Sequence, residues 1–345
     1  MRIWIRWTFV CALMSTCGVP AAFAQTCDRA CLKGLLNQYL NAVIKHDPSA
    51  APLVIGFRQT ENAINVRPGD GVWKTITALG EVQRRFADPA AGQAGFYGIV
   101  NEGSERAIVT VRVRVQNRKL TEAEWYIARA GDPGLRGPRR PGQPPANSFN
   151  PDYLTANPPP QRVVPISQRL PRETLERIVN SYFDAITSHD GSVALTHPGC
   201  GRVENGSPTP AGDFLPPLPG RAGAPGARGA NPPGSQGAAG RLGPPAGDCV
   251  AGLQNFSGQM VVARRFPVID EEAQTVLAMA LFVRRPGSPT PRNVFSEWFF
   301  IDGGRIRTIY TAMFYPPPDL AVPNWPPYEG NWPLPASIMP AVAKP

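Results

Sequence analysis

Histidine is the scarcest residue of this sequence, with three in 345 residues, and there are only six cysteines. No His-x-x-x-His pair and no paired Cys-x-x-Cys motif occurs, so the ligand spacing typical of zinc sites is missing. G-x-S-x-G, G-x-x-x-x-G-K-[ST] and a strand followed by G-x-G-x-x-G are missing as well. We therefore expect no metal and no cofactor, and hydrolase and nucleotide-dependent functions lack their signatures.

Long hydrophobic runs are also missing. The longest early run, from Trp7 to Met14, follows a cationic start with Arg2 and Arg6 and precedes Ala22-Phe23-Ala24. This order is typical of a removable signal peptide, which we place at residues 1–24. No later stretch approaches the ~20 apolar residues of a membrane helix. The sequence thus predicts export to the periplasm or the extracellular space, without a membrane span.

The formal net charge of +9 comes mostly from segments rich in proline and glycine. Residues 129–172 contain seven arginines against two aspartates, and residues 206–247 contain three against one. The remainder is close to neutral once the signal peptide is removed. A surface that tracks phosphates is therefore not indicated, and we expect no nucleic-acid partner.

Four cysteines remain after removal of the signal peptide, and cysteines in an oxidising compartment usually pair. Of three possible connectivities we favour Cys200 with Cys249, because that bridge would close off a long insertion. It leaves Cys27 with Cys31, whose spacing of one helical turn is awkward for disulfide geometry.

The clearest feature of the sequence is an internal repeat. A constant spacing of 143 residues separates Tyr39 from Tyr182, His46-Asp47 from His189-Asp190, and Glu61-Asn62 from Glu204-Asn205. Later matches keep the same order at larger spacing: Gly69 to Val72 with Gly247 to Val250, Arg84 to Phe86 with Arg264 to Phe266, and Glu124-Trp125 with Glu297-Trp298. The sequence therefore predicts two copies of one module, with an insertion in the second copy.

The repeat divides the chain. We predict a first module at 25–130, a Pro/Gly-rich linker at 131–171, a second module at 172–318 and a Pro-rich tail at 319–345. The insertion, 207–247, has glycine at every third residue from Gly220 to Gly229. This period is short and is broken by Pro232, so we expect a disordered loop rather than a collagen helix.

Periodicity predicts an α+β fold for each module. Apolar residues recur at helical spacing from Leu32 to Val43 and from Leu175 to Ile186, which indicates an amphipathic first helix. Alternating runs such as Ile108 to Val115 and Val276 to Val283 indicate antiparallel strands.

Several motifs of the first copy resemble an uncharacterised family of secreted bacterial and fungal proteins. They are Cys27-Asp28-Arg29-Ala30-Cys31-Leu32, His46-Asp47-Pro48-Ser49, Thr60-Glu61-Asn62, Gly69-Asp70-Gly71-Val72-Trp73 and Phe86-Ala87-Asp88-Pro89, with Arg265 to Glu272 in the second copy. The resemblance implies the fold of nuclear transport factor 2 and of SnoaL-like polyketide cyclases, in which a curved antiparallel sheet wraps around helices to form a cone with a pocket. It carries no catalytic residues across.

A cone-shaped module offers one apolar pocket with a few polar groups. The candidate pocket residues are those that recur in both copies or are unusual in type: Tyr39, His46, Glu61, Trp73, Glu124, Tyr182, His189, Glu204 and Glu297.

Each candidate also has a structural interpretation. His46 and His189 could act as bases beside Asp47 and Asp190, but a histidine at a helix end also complements the helix dipole, and Asp-Pro begins a turn. Glu61 and Glu124 could form an acid/base pair, or each could bind a nearby arginine. The structural interpretation is the stronger one for both pairs.

Three functions are compatible with these patterns. The first is an exported pocket protein that binds a small, mainly apolar molecule. The second is a cofactor-independent SnoaL-like isomerase, cyclase or hydratase with Glu61 or His46 as its base. The third is a structural protein whose modules associate through their sheets. We also expect the two modules to pair with each other or to form a homodimer.

Overall fold

The computed structural model describes residues 27–134, 148–208, 249–251, 253, 259–284 and 293–316. The predicted signal peptide, nearly all of the insertion and the Pro-rich tail lie outside the described residues. None of the described helices is long and apolar enough to cross a membrane.

The first module is one long helix packed on a six-stranded sheet. Its elements are α1 (Arg29–Ile44), β1 (Leu53–Glu61), β2 (Ile64–Val66), the short α2 (Val72–Thr75), β3 (Ala78–Asp88), β4 (Gln93–Glu102), β5 (Glu105–Gln116) and β6 (Lys119–Arg129). The sheet order is β2-β1-β6-β5-β4-β3, and all neighbours are antiparallel except the parallel pair β1 and β6.

The second module repeats this arrangement. A short helix, α3 (Pro151–Ala156), precedes it, and its elements are α4 (Arg172–Ser188), β7 (Thr196–Glu204), β8 (Ser207–Pro208), β9 (Gln259–Asp270), β10 (Thr275–Arg284), β11 (Asn293–Asp302) and β12 (Arg305–Phe314). The order β8-β7-β12-β11-β10-β9 is that of the first sheet, strand for strand. The predictions of an α+β class and of two tandem modules are thus confirmed at the level of architecture.

The two long helices form where the apolar period predicted them. Asp28 caps α1 by accepting a hydrogen bond from the Cys31 amide, and the buried side of the helix runs from Leu32 to Val43. In α4 the buried side runs from Leu175 to Ile186. Each helix packs against its own sheet, so each module has its own apolar core.

The opposite faces of the two sheets pack against each other. Because side chains alternate along a strand, residues that point away from the helix share a third apolar cluster, which we call the interface core. It includes Val82, Phe86, Tyr97, Ile99, Ile108 and Tyr126 of the first module with Val262, Val268, Leu277, Met279, Trp298, Phe300 and Tyr310 of the second. Trp298 is fully buried there: its indole N–H donates to Thr110 Oγ1 at 3.1 Å, and its ring lies tilted against Phe86 at a centroid distance of 4.4 Å.

Contacts at the rim of this interface are reciprocal. Arg29, the first residue of α1, binds Asp270 with two bonds of 2.7 Å, and the Ala87 amide donates to the same carboxylate at 3.0 Å. Arg172, the first residue of α4, binds Asp88 at 2.5 Å, and the Ile269 amide donates to Asp88 at 2.8 Å. Each module thus gives the other the same three groups, as in a two-fold symmetric dimer.

The second half of the predicted linker is ordered against both modules. Leu154 of α3 is buried in the interface core, and the Asn150 amide donates to the Asn205 carbonyl at 2.9 Å. Arg84 donates to the Pro159 carbonyl at 2.6 Å, and Arg162 donates to the Ala273 carbonyl at 3.1 Å. Residues 148–171 therefore cross the junction of the two sheets as part of the fold.

One predicted correspondence is wrong. Glu124-Trp125 lies in β6, the last strand of the first module, whereas Glu297-Trp298 lies in β11, the fifth strand of the second. Pairing register shows that Trp125 is equivalent to Thr311, because each lies beside the repeated glutamate, Glu61 or Glu204. The two Glu-Trp pairs therefore lie in strands that are not equivalent, β6 and β11.

Candidate functional site

The repeated His-Asp pairs lie at the ends of the long helices, where they shape the turn. His46 and His189 both have a left-handed backbone, with φ of 58° and 61°. Asp47 and Asp190 each accept hydrogen bonds from the amide and hydroxyl of a serine two residues later, which caps a 3₁₀ turn. His46 is exposed, and its Nδ1 lies 2.5 Å from the Trp73 carbonyl oxygen. The two aspartates therefore stabilise the turn that follows each long helix, while both ring nitrogens of His189 are buried without a hydrogen-bond partner among the described residues.

The repeated asparagines have a structural role as well. Asn62 and Asn205 are left-handed, with φ of 46° and 45°, and each turns the chain between the first two strands of its sheet. The Asn62 side chain bonds both the N–H and the C=O of Ile127, at 2.9 and 3.1 Å. Asn205 does the same to Met313, at 2.8 and 3.0 Å.

In the first module the candidates Tyr39 and Trp73 belong to one closed network. Tyr39 and Trp73 both donate to Gln59 Oε1 at 2.8 Å, and Trp125 donates to the Tyr39 oxygen at 2.8 Å. All four residues are buried, and burial raises the pKa of the Tyr39 hydroxyl. Polar atoms deep in a module are thus matched to one another, and the three rings fill the space between α1 and the sheet.

Glu61 borders this network without entering an acid/base pair. Its Oε1 accepts from the Val72 amide at 2.7 Å, and a Cβ on Gly71 would lie 2.0 Å from that oxygen. Burial raises the pKa of Glu61, and the Val72 amide opposes that shift. The carboxylate therefore fixes the approach of α2 to β1.

Glu124 does not face the same space as Glu61. It points into the interface, where Arg112 and Arg265 both bind it; Arg265 of the second module contacts its two oxygens at 2.5 and 3.0 Å. Arg112 also binds Glu122 at 2.7 Å. Burial favours the neutral acid, but the two guanidinium groups outweigh it and lower the pKa of Glu124 to about 2. An ionised group locked between two arginines is a poor proton acceptor.

A row of four residues crosses the helix-facing side of the first sheet. Glu61 pairs with Trp125, Trp125 with Val111, and Val111 with Phe96. The last three are buried in the core with α1. The middle of this module is therefore aromatic and apolar.

The equivalent row of the second sheet has different chemistry. Glu204 pairs with Thr311, Thr311 with Glu297, and Glu297 with Ala278. Two aromatic rings of the first module are replaced by a threonine and an alanine, and the valine between them by a glutamate. All four residues are buried. The second module therefore carries a carboxylate flanked by small side chains where the first is filled by rings.

Arg202 joins the two carboxylates of this row. Its Nη1 donates to Glu204 Oε2 at 2.9 Å, while its Nε and Nη2 both donate to Glu297 Oε1, at 3.2 and 2.9 Å. The Tyr315 hydroxyl donates to Glu204 Oε1 at 3.4 Å. We call Arg202, Glu204 and Glu297 the carboxylate cluster. It has one guanidinium for two carboxylates.

Glu297 Oε2 is buried and has no hydrogen-bond partner among the residues that the structure describes. Burial raises the pKa of Glu297, and Arg202 opposes that shift; the same two effects act on Glu204. An isolated buried charge is costly, so the cluster favours either a bound proton or a donor from outside.

Aromatic residues surround the cluster. Phe295 and Phe299 precede and follow Glu297 by two residues and therefore share its face of β11. The Tyr182 ring meets Phe299 at a centroid distance of 5.5 Å, and its hydroxyl donates to the Cys249 carbonyl at 3.3 Å. A second buried acceptor, Asn293 Oδ1, also has no partner in the described part of the chain and lies on the same face.

Arg202, Tyr315 and Asn293 were not among the residues predicted from the sequence. A signal for Arg202 did exist, because it stands at the repeat position of Gln59, two residues before the repeated glutamate. Its partner Glu297 is 95 residues away, however, and only the strand order brings the two together.

Both predicted disulfides are present, Cys27 with Cys31 and Cys200 with Cys249. The second closes the chain around the insertion, as expected. In the described parts of the chain no three His, Cys, Asp or Glu side chains form a group that could hold a metal ion.

Comparison with protein families finds a match in the second module. Residues 168–313 match a domain of unknown function, DUF8021. The DUF8021 match spans the second module from the approach to α4 to near the end of β12, and so includes the whole carboxylate cluster. Comparisons with curated proteins and with solved structures give no match.

Proposed function

We propose that this chain is an exported binding protein whose second module takes up a small, mainly apolar molecule. The observation that carries the proposal is the second row, in which Thr311 and Ala278 flank a buried carboxylate with one oxygen that no described residue hydrogen-bonds. A few directed polar groups in an apolar, aromatic surrounding are typical of small-molecule sites. We also propose that each module has the cone fold of nuclear transport factor 2.

The first module serves as a scaffold in this proposal. Its polar atoms at the equivalent depth already bond one another, through Tyr39, Gln59, Trp73 and Trp125. A ligand there would have to displace packed rings and break matched hydrogen bonds, which is costly.

Two disulfides in one chain are typical of proteins that fold in an oxidising compartment, which supports export. We further propose that the two modules remain paired in solution. The reciprocal contacts of Arg29 with Asp270 and of Arg172 with Asp88 support this pairing.

The proposal is tested by purifying the mature chain from cells that make it, denaturing it and identifying released small molecules by liquid chromatography and mass spectrometry. We expect an apolar molecule in near-equal amount to the protein. A chain that releases nothing, and that also fails to respond to a broad panel of apolar ligands in calorimetry, contradicts the proposal.

Variants of Thr311 locate the site. Thr311→Trp restores the residue of the first module and should abolish binding by filling the row, whereas the near-isosteric Thr311→Val should keep it. If Thr311→Trp does not fold, Ala278→Phe, which restores the other ring, takes its place. Binding that survives both large substitutions would move the site elsewhere.

One observation favours the enzyme alternative. If the second module is a SnoaL-like isomerase, cyclase or hydratase, its base would be Glu297 rather than Glu61 or His46, because Glu297 combines burial, a raised pKa and an oxygen without a partner in the described structure. Incubating the identified ligand with wild type and with Glu297→Gln decides between the two: a product formed only by wild type indicates an enzyme.

A further inference from the structure

The charge of the carboxylate cluster is unbalanced. Arg202 is the one cation that contacts Glu204 and Glu297 in the described structure, and all three side chains are at most 5% exposed. The other titratable groups that face the cluster are the hydroxyls of Tyr182 on α4 and Tyr315 after β12. With both carboxyls ionised, the cluster has a net charge of −1 inside an apolar core.

The oxygen that lacks a donor shows where a positive charge would bind. Arg202 donates from Nη1 to Glu204 Oε2 and from Nε and Nη2 to Glu297 Oε1. Glu297 Oε2 has no donor among the described residues. A buried ionised oxygen needs a hydrogen bond, and it needs a cation more than a neutral donor.

The surroundings suit an organic cation better than a metal ion. Glu297 is flanked along its strand by Phe295 and Phe299, with Tyr182 packed on Phe299. Ring faces attract ammonium groups, and this attraction is stronger where water is excluded.

We propose, on the basis of the proposed function, that the ligand of the second module is an amine whose ammonium group binds Glu297 Oε2 and whose apolar body packs against Tyr182, Phe295 and Phe299.

Proton exchange follows from this arrangement. In the empty module a proton on the cluster removes the excess charge, since burial raises the pKa of both carboxyls. A bound ammonium ion supplies the same charge and displaces that proton to solvent. Amine binding should therefore release protons and strengthen as the pH rises through the raised pKa, whereas binding of a neutral alcohol should not.

The experiment is isothermal titration calorimetry of the mature chain with two matched series: octylamine, octanol and octanoate, and 2-phenylethylamine, 2-phenylethanol and phenylacetate. Within a series that binds, we expect the amine to bind about tenfold or more tightly than the alcohol, and the acid to bind weakest. Titrations in buffers of different ionisation enthalpy should show proton release for the amine alone.

Glu297→Gln should bring the amine and the alcohol to similar affinity. Glu173→Gln, which removes an exposed carboxylate from the first turn of α4, is the matched control and should leave the amine preference unchanged.

Each outcome bears on a different proposal. If an alcohol or an acid binds as tightly as its amine, or if Glu297→Gln leaves the preference intact, the amine assignment is wrong while the binding function stands. If no compound of either series binds the wild-type chain, the amine assignment is wrong, and the release experiment described above decides the binding function. The wild-type series alone separates these outcomes, even if Glu297→Gln does not fold.

Discussion

At the scale of single residues, the two copies show which repeated positions serve the fold and which have diverged. Asn62 and Asn205 make the same pair of backbone bonds at the same left-handed turn. Glu61 and Glu204 are repeated in sequence, yet one accepts from the Val72 amide and the other from Arg202. The repeated asparagines therefore have the same structural role in both modules, whereas the repeated glutamates have different hydrogen-bond partners.

Asn205→Ala should lower the free energy of unfolding by about 2–4 kcal/mol, because it strands two buried groups of Met313 and puts alanine at a left-handed position. Asn205→Gly removes the bonds without the backbone strain and should cost less. Asn65→Ala, at an exposed position of β2, should change stability by no more than about 0.5 kcal/mol. Chemical denaturation measures all three; an Asn205→Ala variant as stable as the control would contradict the assigned role.

Glu124→Gln should destabilise the fold by about 3–5 kcal/mol, because it leaves Arg112 and Arg265 short of a buried partner. The pKa of Glu124 is lowered to about 2 in the folded chain, so its stabilising contribution is present above the ordinary pKa of a glutamate. That contribution should be lost as the pH falls towards 2.

Denaturation curves between pH 2 and pH 7 check this prediction. Glu105→Gln, an exposed change in β5, is the matched control and should follow wild type throughout. A difference in free energy of unfolding between Glu124→Gln and wild type that does not narrow on acidification would show that the Glu124 charge does not stabilise the interface.

At the scale of helices and strands, the sequence predicted what local periodicity determines. The helical spacing of Leu32 to Val43 gave α1, and the alternation around Val109 to Val115 gave β5, because one buried face imposes its period on the residues. The pairing of Glu124 with Glu297 failed because a two-residue match carries no information on strand order. Glu124 and Arg265 meet across 141 residues, which no local pattern can show.

The disulfides act at this scale, because each constrains a different length of chain. The double variant Cys200→Ser/Cys249→Ser removes a bridge between residues 49 positions apart. Loop entropy predicts that its free energy of unfolding is lower by about 4 kcal/mol. The double variant Cys27→Ser/Cys31→Ser removes a bridge between residues four positions apart, and its free energy of unfolding should be lower by about 2 kcal/mol. Thermal unfolding of both double variants tests the order; equal losses would contradict it.

At the scale of the whole molecule, the chain is arranged like a symmetric dimer made from one polypeptide. The interface core joins the two sheets. The first residue of each long helix, Arg29 or Arg172, forms an ion pair with an aspartate of the other module. This arrangement allows the cores of the two modules to differ while the two sheet faces that form the interface remain complementary. The difference between the two interiors therefore requires no change at the interface.

The two equivalent ion pairs at the rim of the interface should contribute similarly to stability. Asp88→Asn and Asp270→Asn should each lower the free energy of unfolding by about 1.5–3 kcal/mol, since each removes a charge that binds one arginine and two backbone amides. Asp302→Asn, which affects an exposed pair with Arg307 at 3.7 Å, should cost at most about 1 kcal/mol. Denaturation of the mature chain measures these losses. A neutral result for either interface variant would show that the two halves of the rim are not equivalent.

The central claim is that one module of the two binds a ligand. Native mass spectrometry of the mature chain, titrated with the ligand that it releases on denaturation, tests this claim most directly because it counts bound molecules. We predict a single additional mass per chain at saturation, which disappears in Thr311→Trp. Two bound molecules per chain would show that the interior of the first module is also a site, and none would contradict the binding function itself.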